Sequence, residues 1–180
     1  MGTDDVTELA LAAGLGDRAA LSEFIRRTQA EVWRFVARLS QPSLADDLTQ
    51  ETYLRVLTAL PRFEGRSSAR AWLLTIARRV VVDRIRHDSA RPRSFGDVSW
   101  RDSQPAPVEP SSDLEVEELL GVLEPDRRAA LVLTQLLGFS YAEAAEICGC
   151  AVGTIRSRVA RARSELVAAL ESHAQEASVS

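Results

Sequence analysis

The stretch from Gly138 to Leu166, GFSYAEAAEICGCAVGTIRSRVARARSEL, constrains the fold more than any other part of this chain. It predicts two short helices joined by a tight turn at residues 149–151. Apolar residues recur in the second helix at a spacing of three and four, which predicts one buried stripe. They are Val152, Ile155, Val159, Ala162 and Leu166. The opposite face holds Thr154, Arg156, Ser157, Arg158, Arg161 and Arg163. A helix with one apolar and one arginine-rich face, behind a supporting helix, is typical of a helix-turn-helix that enters the DNA major groove.

Charge is distributed unevenly along the 180 residues. The net charge is −4, yet residues 62–93 hold 9 arginines against 3 acids, and residues 94–150 hold 3 arginines against 11 acids. All 22 basic residues are arginine, which binds phosphates and guanine edges with two hydrogen bonds. Genomic base composition predicts the same bias. Two basic segments in an acidic background favour a protein that touches DNA at two places.

Targeting signals are not evident in the sequence. No apolar run approaches the roughly 20 residues that a membrane span needs. The start, MGTDD, lacks the basic and apolar regions of a signal peptide. We therefore expect a cytoplasmic protein without membrane insertion.

Helical periodicity recurs on both sides of a segment without any period. We predict an all-α protein, with two small helical domains joined by a flexible acidic linker. The predicted ranges are 1–92 for the first domain, 93–113 for the linker, 114–172 for the second domain and 173–180 for a tail. Pro, Ser and acidic residues fill the linker, whose Trp100 is expected either to dock on a partner or to be exposed.

Three segments together resemble the extracytoplasmic-function type of RNA polymerase sigma factor in the sigma-70 family. They are DDLTQETYLRVL (46–57), RFEGRSSARAWLLTIARRVVVDRIR (62–86) and GFSYAEAAEICGCAVGTIRSRVARAR (138–163). The resemblance covers nearly the whole chain, in order, and implies sigma regions 2 and 4. It implies a protein that binds core RNA polymerase, directs it to −35/−10 promoters and promotes DNA opening, with no catalytic site or cofactor of its own. The implied partners are the polymerase β′ coiled coil and β flap, promoter DNA and an anti-sigma factor.

The first of these segments is implied to dock on the β′ coiled coil. The implied residues are Asp46, Asp47, Leu48, Gln50, Glu51 and Tyr53, with Leu48 and Tyr53 holding the helix from behind. A metal site at these carboxylates is not expected, because His87 and His173 are distant in sequence. Cys148 and Cys150 are one residue apart, a spacing that suits neither zinc nor a redox pair, so we expect Cys148 to be packed and Cys150 to lie in the turn.

The second segment is implied to read the −10 element. A loop with a glycine, small hydroxyls and an aromatic can accept one flipped base; its residues are Phe63, Gly65, Arg66, Ser67 and Ser68. The following helix adds Arg78, Arg79, Asp83 and Arg86, whereas Trp72 is expected in the core. Arg79 stands where the family commonly has Asn, which leaves the preferred −10 base open.

The third segment is implied to read the −35 element. The residues expected at base edges are Arg156, Ser157, Ala160 and Arg161, of which the arginines suit guanine and Ala160 suits a thymine methyl. Those expected at phosphates are Thr154, Arg158 and Arg163. Tyr141 is expected either at a phosphate or half-buried in the core.

Three other functions remain as alternatives. A stand-alone helix-turn-helix regulator would need a sensor or dimerising domain, which residues 1–92 do not resemble. An adaptor would be indifferent to changes at Arg156 or Arg161. A hydrolase built on the carboxylates Asp46, Asp47 and Glu51 would need a nucleophile and base pair that the sequence does not offer.

Overall fold

Eight α-helices build the part of the chain that this computed structural model describes, residues 5–90 and 112–177. The N-terminal half contains α1 (Asp5–Gly14), α2 (Arg18–Leu39), α3 (Ala45–Ala59) and α4 (Ala69–Ala90). The C-terminal half contains α5 (Ser112–Gly121), α6 (Pro125–Leu131), α7 (Tyr141–Cys148) and α8 (Val152–Ala177). These ranges hold no β-strand, and the predicted all-α fold is confirmed.

Local sequence signals start and stop the helices of the N-terminal half. Asp17 caps α2, because its Oδ1 accepts hydrogen bonds from the N–H groups of Ala19 at 2.8 Å and Ala20 at 3.0 Å. Short 3₁₀ turns, Pro42–Leu44 and Leu60–Arg62, precede and follow α3. Each contains a proline in its first turn, where the missing N–H is not needed. These turns fold the helices back on one another.

Large apolar side chains from α2, α3 and α4 meet in the centre of this half. Phe24, Phe35, Val56, Leu73 and Leu74 are each at most 1% exposed. Burial of such a side chain stabilises the fold by about 1.5–3 kcal/mol relative to its exposure. The helices that carry the predicted −10 and polymerase-binding residues are therefore fixed to a common core.

The C-terminal half is built around the helix-turn-helix. The chain leaves α6 through a π-helical turn, Val132–Leu136, and Gly138 with φ +74° redirects it into α7. Ile147 of α7 packs with Ile155, Val159 and Ala162 of α8, all of them at most 2% exposed. The predicted stripe is thus buried from Ile155 to Ala162, and Leu166 packs against the core half-buried. Val152 differs, because 37% of it is exposed. A side chain in a helix packs over the turn before it, and Val152, as the first residue of α8, has no such turn to pack against.

The two halves pack against each other along α4 and α7, with α2 also touching α6. Their buried side chains form one continuous cluster. Arg70 of α4 lies with its guanidinium carbon 4.8 Å from the ring centre of Phe139, just before α7. In this structure the halves predicted from the sequence are therefore joined.

Some of the sequence predictions fall at or beyond the limits of the described residues. Of the predicted linker, 93–113, only the last two residues are described, and they begin α5; Trp100 lies outside. At the other end, α8 continues to Ala177, into the segment predicted as a tail.

Candidate nucleic-acid interface

Strong capping signals fix the start of α7 and its turn into α8. Ser140 Oγ accepts a hydrogen bond from the N–H of Glu143 at 3.2 Å, and the N–H of Ser140 donates to Glu143 Oε2 at 2.9 Å. The Ser140 hydroxyl also donates to Glu143 Oε2 at 2.7 Å. This bond, followed by that of the Ser140 N–H, lowers the pKa of the Glu143 carboxyl. Gly149 ends α7 in the left-handed conformation, with φ 65°. The orientation of α8 therefore follows from local sequence.

Four residues predicted at base edges all face solvent on α8: Arg156, Ser157, Ala160 and Arg161. The Ser157 hydroxyl donates to the carbonyl of Thr154 at 2.9 Å. Ala160 and Arg161 line a shallow groove with Ser164. Within the described part of the chain, Arg156 and Arg161 have neither a hydrogen bond nor an ion pair. Their guanidinium groups are available to a ligand.

The residues predicted at phosphates are placed less uniformly. Arg163 is exposed and donates to Gln135 Oε1 at 2.6 Å. Thr154 and Tyr141 are half-buried, and Tyr141 packs against the core. Arg158 points inward, where it donates to Asp126 and, at 3.6 Å, to the Sγ of Cys150.

Both cysteines lie as predicted, one packed and one in the turn. Cys148 is buried, and this burial raises the pKa of its thiol to about 11. Cys150 is half-buried in the turn before α8.

The loop predicted to accept a base, residues 63–68, connects the second 3₁₀ turn with α4. Phe63 packs on Trp72 with ring centres 4.7 Å apart, and both rings are half-buried rather than fully enclosed. Gly65 has φ +68°, which L side chains rarely adopt. The Arg66 side chain is 85% exposed and pairs with Glu64. Ser68 Oγ accepts from the N–H of Ala71 at 3.2 Å and so caps the start of α4.

The charged residues predicted along α4 divide between two sides of the helix. Arg79, Asp83 and Arg86 are exposed. Asp83 accepts a hydrogen bond from Arg55 of α3 at 2.8 Å, which connects the two helices. Arg78 lies on the other side, 17% exposed, and is bonded to Asp126 of α6. The loop 63–68 and the side of α4 that carries Arg79 are thus both exposed to solvent. Arg78, in contrast, lies at the contact between the two halves.

The residues predicted to bind polymerase also divide between two sides of their helix, α3. Asp46, Asp47 and Gln50 are exposed, and Glu51 is half-buried in an ion pair with Arg55. Leu48 is 5% exposed and faces the core. The Tyr53 hydroxyl lies 2.8 Å from Thr28 Oγ1, and burial raises its pKa to about 12. Leu48 and Tyr53 thus support α3 from behind, as expected.

Exposed apolar side chains extend this surface beyond the predicted residues. Trp33 of α2 is 43% exposed and donates from Nε1 to Asp46 Oδ1 at 2.8 Å, beside a shallow pocket between α2 and α3. Leu54 and Leu57 of α3 are 56% and 43% exposed. Helical periodicity predicts Leu57 on the inner side of α3. In the structure Leu57 lies on the outer face of α3, together with Gln50 and Leu54. Sequence reasoning missed Trp33, since a tryptophan in an amphipathic helix is expected in the core.

The described ranges contain neither a metal-binding cluster nor a membrane-spanning helix. In 5–90 and 112–177, no three or more His, Cys, Asp or Glu side chains are grouped so as to hold a metal ion. Among the described helices, none combines the length and the apolar character needed to cross a bilayer.

Two family models match the chain. Residues 24–91 match sigma-70 region 2, and residues 113–166 match sigma-70 region 4. Helix α1 precedes the first matched segment. Over 176 residues, the chain is 55% identical to the ECF RNA polymerase sigma factor SigC of Mycobacterium tuberculosis, covering 92% of this chain and 91% of that protein. It is 44% identical to the ECF RNA polymerase sigma factor EcfG of Rhodopseudomonas palustris over 131 residues, 70% of this chain and 71% of that protein.

Solved structures resemble the fold. One is the sigma factor RpoE of Bartonella quintana in complex with the anti-sigma factor NepR, with a TM-score of 0.73 and 33% identity, covering 84% of this chain and 96% of that one. A second is CnrH in complex with the cytosolic domain of CnrY, with a TM-score of 0.72 and 24% identity, covering 94% of this chain and 99% of that one. The second similarity concerns the fold alone.

Proposed function

This chain belongs to the sigma-70 family, as a sigma factor of the extracytoplasmic-function type that directs RNA polymerase in transcription initiation, and we propose how its surfaces divide that work. Helix α8 reads the −35 element, the loop 63–68 with α4 reads the −10 element, and the outer face of α3 with Trp33 docks on core polymerase. Polymerase supplies the chemistry, so the protein needs no catalytic site or cofactor of its own. It acts where polymerase and DNA are, in the cytoplasm.

The observation that carries the proposal is the unpaired guanidinium pair on α8. Arg156 and Arg161 are exposed and unbonded among the described residues, on the face opposite the buried Ile155 and Val159. A guanidinium can donate to both O6 and N7 of guanine, which discriminates against a wrong base by about 1–3 kcal/mol. Ala160 between them offers a methyl group to a thymine.

The −10 element is assigned to the loop because the loop combines exposure with a rigid frame. Arg66 is exposed, whereas the ends of the loop are held by the Phe63–Trp72 contact and by the Ser68 cap. Such a loop can hold one unpaired base without rearranging. On α4, Arg79, Asp83 and Arg86 extend the same surface toward the neighbouring bases and phosphates.

The polymerase contact is assigned to α3 because acidic and apolar groups share its outer face. Asp46, Asp47 and Gln50 are followed on that face by Leu54 and Leu57. Interfaces combine a central aromatic or aliphatic group with charges at the rim, which set orientation and the rate of association. Trp33 supplies the aromatic group, and the β′ coiled coil is the proposed partner. The β flap is proposed as the partner of the C-terminal half.

Promoter binding requires the two halves to separate. The −35 and −10 elements are centred about 25 base pairs apart, which is roughly 85 Å of duplex. Arg78 and Arg158 are both bonded to Asp126 in the joined arrangement. We propose that an anti-sigma factor controls access to these surfaces, as the complex of RpoE with NepR suggests by its composition.

Run-off transcription from a library of randomised promoters, with bacterial core polymerase, tests the assignment. The protein is expected to direct transcripts from a shared −35/−10 pair. Arg156→Ala and Arg161→Ala should each relax the −35 preference and leave the −10 preference intact. Arg18→Ala, which removes an exposed arginine at the start of α2, is the matched control and should change neither. Failure to bind or redirect core polymerase would overturn the proposal and favour a stand-alone regulator.

A further inference from the structure

We propose that α1 is a positioning element for the loop 63–68, holding it through three successive contacts. The inference rests on the proposed role of this loop at the −10 element. Three residues of α1, Thr7, Leu11 and Gly14, are spaced by four and three and therefore lie on one face of the helix. They touch the end, the middle and the beginning of the loop region in turn.

Thr7 holds the end of the loop. Its Oγ1 accepts a 2.8 Å hydrogen bond from the N–H of Ala69, 62 residues away, and both residues are at most 3% exposed. Ala69 is the first residue of α4, where a helix has N–H groups without partners in its own backbone. Ser68 satisfies the N–H of Ala71, and Thr7 satisfies that of Ala69. The start of α4 is thus capped jointly by its own N-cap and by a residue of α1.

Leu11 covers the middle of the loop. A Cβ placed on Gly65 would lie 3.4 Å from Leu11 Cδ1, so the leucine packs directly over the residue with positive φ. The left-handed turn at Gly65 is therefore closed by an apolar contact from outside the loop. This contact limits which way the turn can move.

Gly14 meets the segment that leads into the loop. A Cβ on Gly14 would lie 2.7 Å from the carbonyl oxygen of Leu60, which is closer than real Cβ atoms come. Helix α1 therefore approaches the backbone of the 3₁₀ turn Leu60–Arg62 without an intervening side chain. The loop is thereby restrained on both sides and at its bend, while Glu64 and Arg66 remain exposed.

Promoter opening by holoenzyme, assembled from core polymerase and the full chain, is the decisive measurement. Unpaired thymines at −10 are followed by permanganate reactivity on a promoter selected in the run-off library. Thr7→Val keeps the shape of the side chain and removes the acceptor; we expect opening to fall by about tenfold. Thr7→Ser should restore it, because serine keeps the hydroxyl. Affinity for core polymerase and for −35 duplex should change less than about twofold.

Two further variants keep the test decisive if Thr7→Val is poorly folded. Leu11→Ala leaves the Thr7 hydrogen bond in place and should also reduce opening and blur the preference for the −10 base. Thr52→Val is the matched control. Thr52 is equally buried, but among the described residues its hydroxyl bonds only to Leu48 O in its own helix, at 2.7 Å. It should open promoters as the unchanged protein does.

The outcomes separate this inference from the function on which it rests. Arg66→Ala and Ser67→Ala alter the loop itself. If they leave −10 selection unchanged, the assignment of the loop fails. If they change it while Thr7→Val and Leu11→Ala open promoters normally, the positioning role of α1 is wrong and the loop assignment stands. Equal losses of −35 binding, core binding and opening in the α1 variants would also overturn it, since they would indicate general loss of fold.

Discussion

Asp126 on α6 accepts a 2.6 Å hydrogen bond from Nη2 of Arg78 on α4. Its second carboxylate oxygen accepts a hydrogen bond from Arg158 on α8. One carboxylate therefore joins the two helices that we propose to contact the −10 and −35 elements. Arg78 and Arg158 are 17% and 23% exposed, so neither is presented to DNA while the halves are joined.

Asp126→Ala is expected to loosen the contact between the halves. The change leaves two partly buried arginines without their shared partner, which costs the joined form roughly 1–3 kcal/mol. The free protein should become more extended by small-angle X-ray scattering and should bind −35 duplex more tightly. Glu124→Ala, which removes a nearby exposed carboxylate, serves as the control. An unchanged radius of gyration and an unchanged affinity would contradict the prediction.

Ser140→Ala is expected to destabilise the helix-turn-helix. Loss of an N-cap hydroxyl costs about 1 kcal/mol, which urea unfolding can measure. The effect depends on pH. The pKa of the Glu143 carboxyl is lowered in the folded protein, so its ionised form stabilises the fold. This stabilisation is present at pH values above the ordinary pKa of a glutamate and is lost as the pH falls through the pKa that Glu143 has in the folded protein. The variant should lose less stability than the unchanged protein on acidification. Ser172→Ala, an exposed serine near the end of α8, should be neutral at both pH values.

The parts of the structure that local chemistry determines were predictable from sequence. The tight turn at residues 149–151 and the stripe from Ile155 to Ala162 depend only on neighbouring residues. The inward side of Leu48 and Tyr53 follows from helical spacing in the same way.

Contacts between distant segments were not predictable from this one sequence. Nothing near Asp126 indicates that it pairs with Arg78 and Arg158, and nothing near Thr7 indicates that it caps α4. Two amphipathic halves can be packed together in several ways with the same periodicity. That Arg78 lies on the side of α4 that faces α6 is therefore known only from the structure.

Tyr53 is expected to make the protein less stable at high pH. Its pKa is raised to about 12 from 10.0, so the neutral phenol is favoured in the fold. Tyr53 therefore adds fully to the free energy of unfolding below pH 10, the pKa of the phenol in the unfolded chain. This stabilisation is lost as the pH rises toward 12. The sequence contains no lysine, so no lysine side chain titrates in this range. Urea unfolding at several pH values should show a smaller alkaline loss in Tyr53→Phe than in the unchanged protein; equal losses would contradict the assignment. Cys148, whose pKa is raised to about 11, is present in both proteins and cancels in the comparison.

Trp33→Ala is expected to weaken binding to core polymerase while leaving the fold intact. Trp33 is 43% exposed, so its truncation removes little from the core, and Asp46 to which it donates is itself exposed. A tryptophan at the centre of an interface typically contributes 2 kcal/mol or more, which corresponds to about a thirtyfold loss of affinity. Titration of fluorescently labelled protein with core polymerase measures this change. Leu15→Ala removes a side chain that is 91% exposed and lies on the loop between α1 and α2, so it should bind as the unchanged protein does. If both variants bind equally well, the docking surface does not include α2 and must be confined to α3.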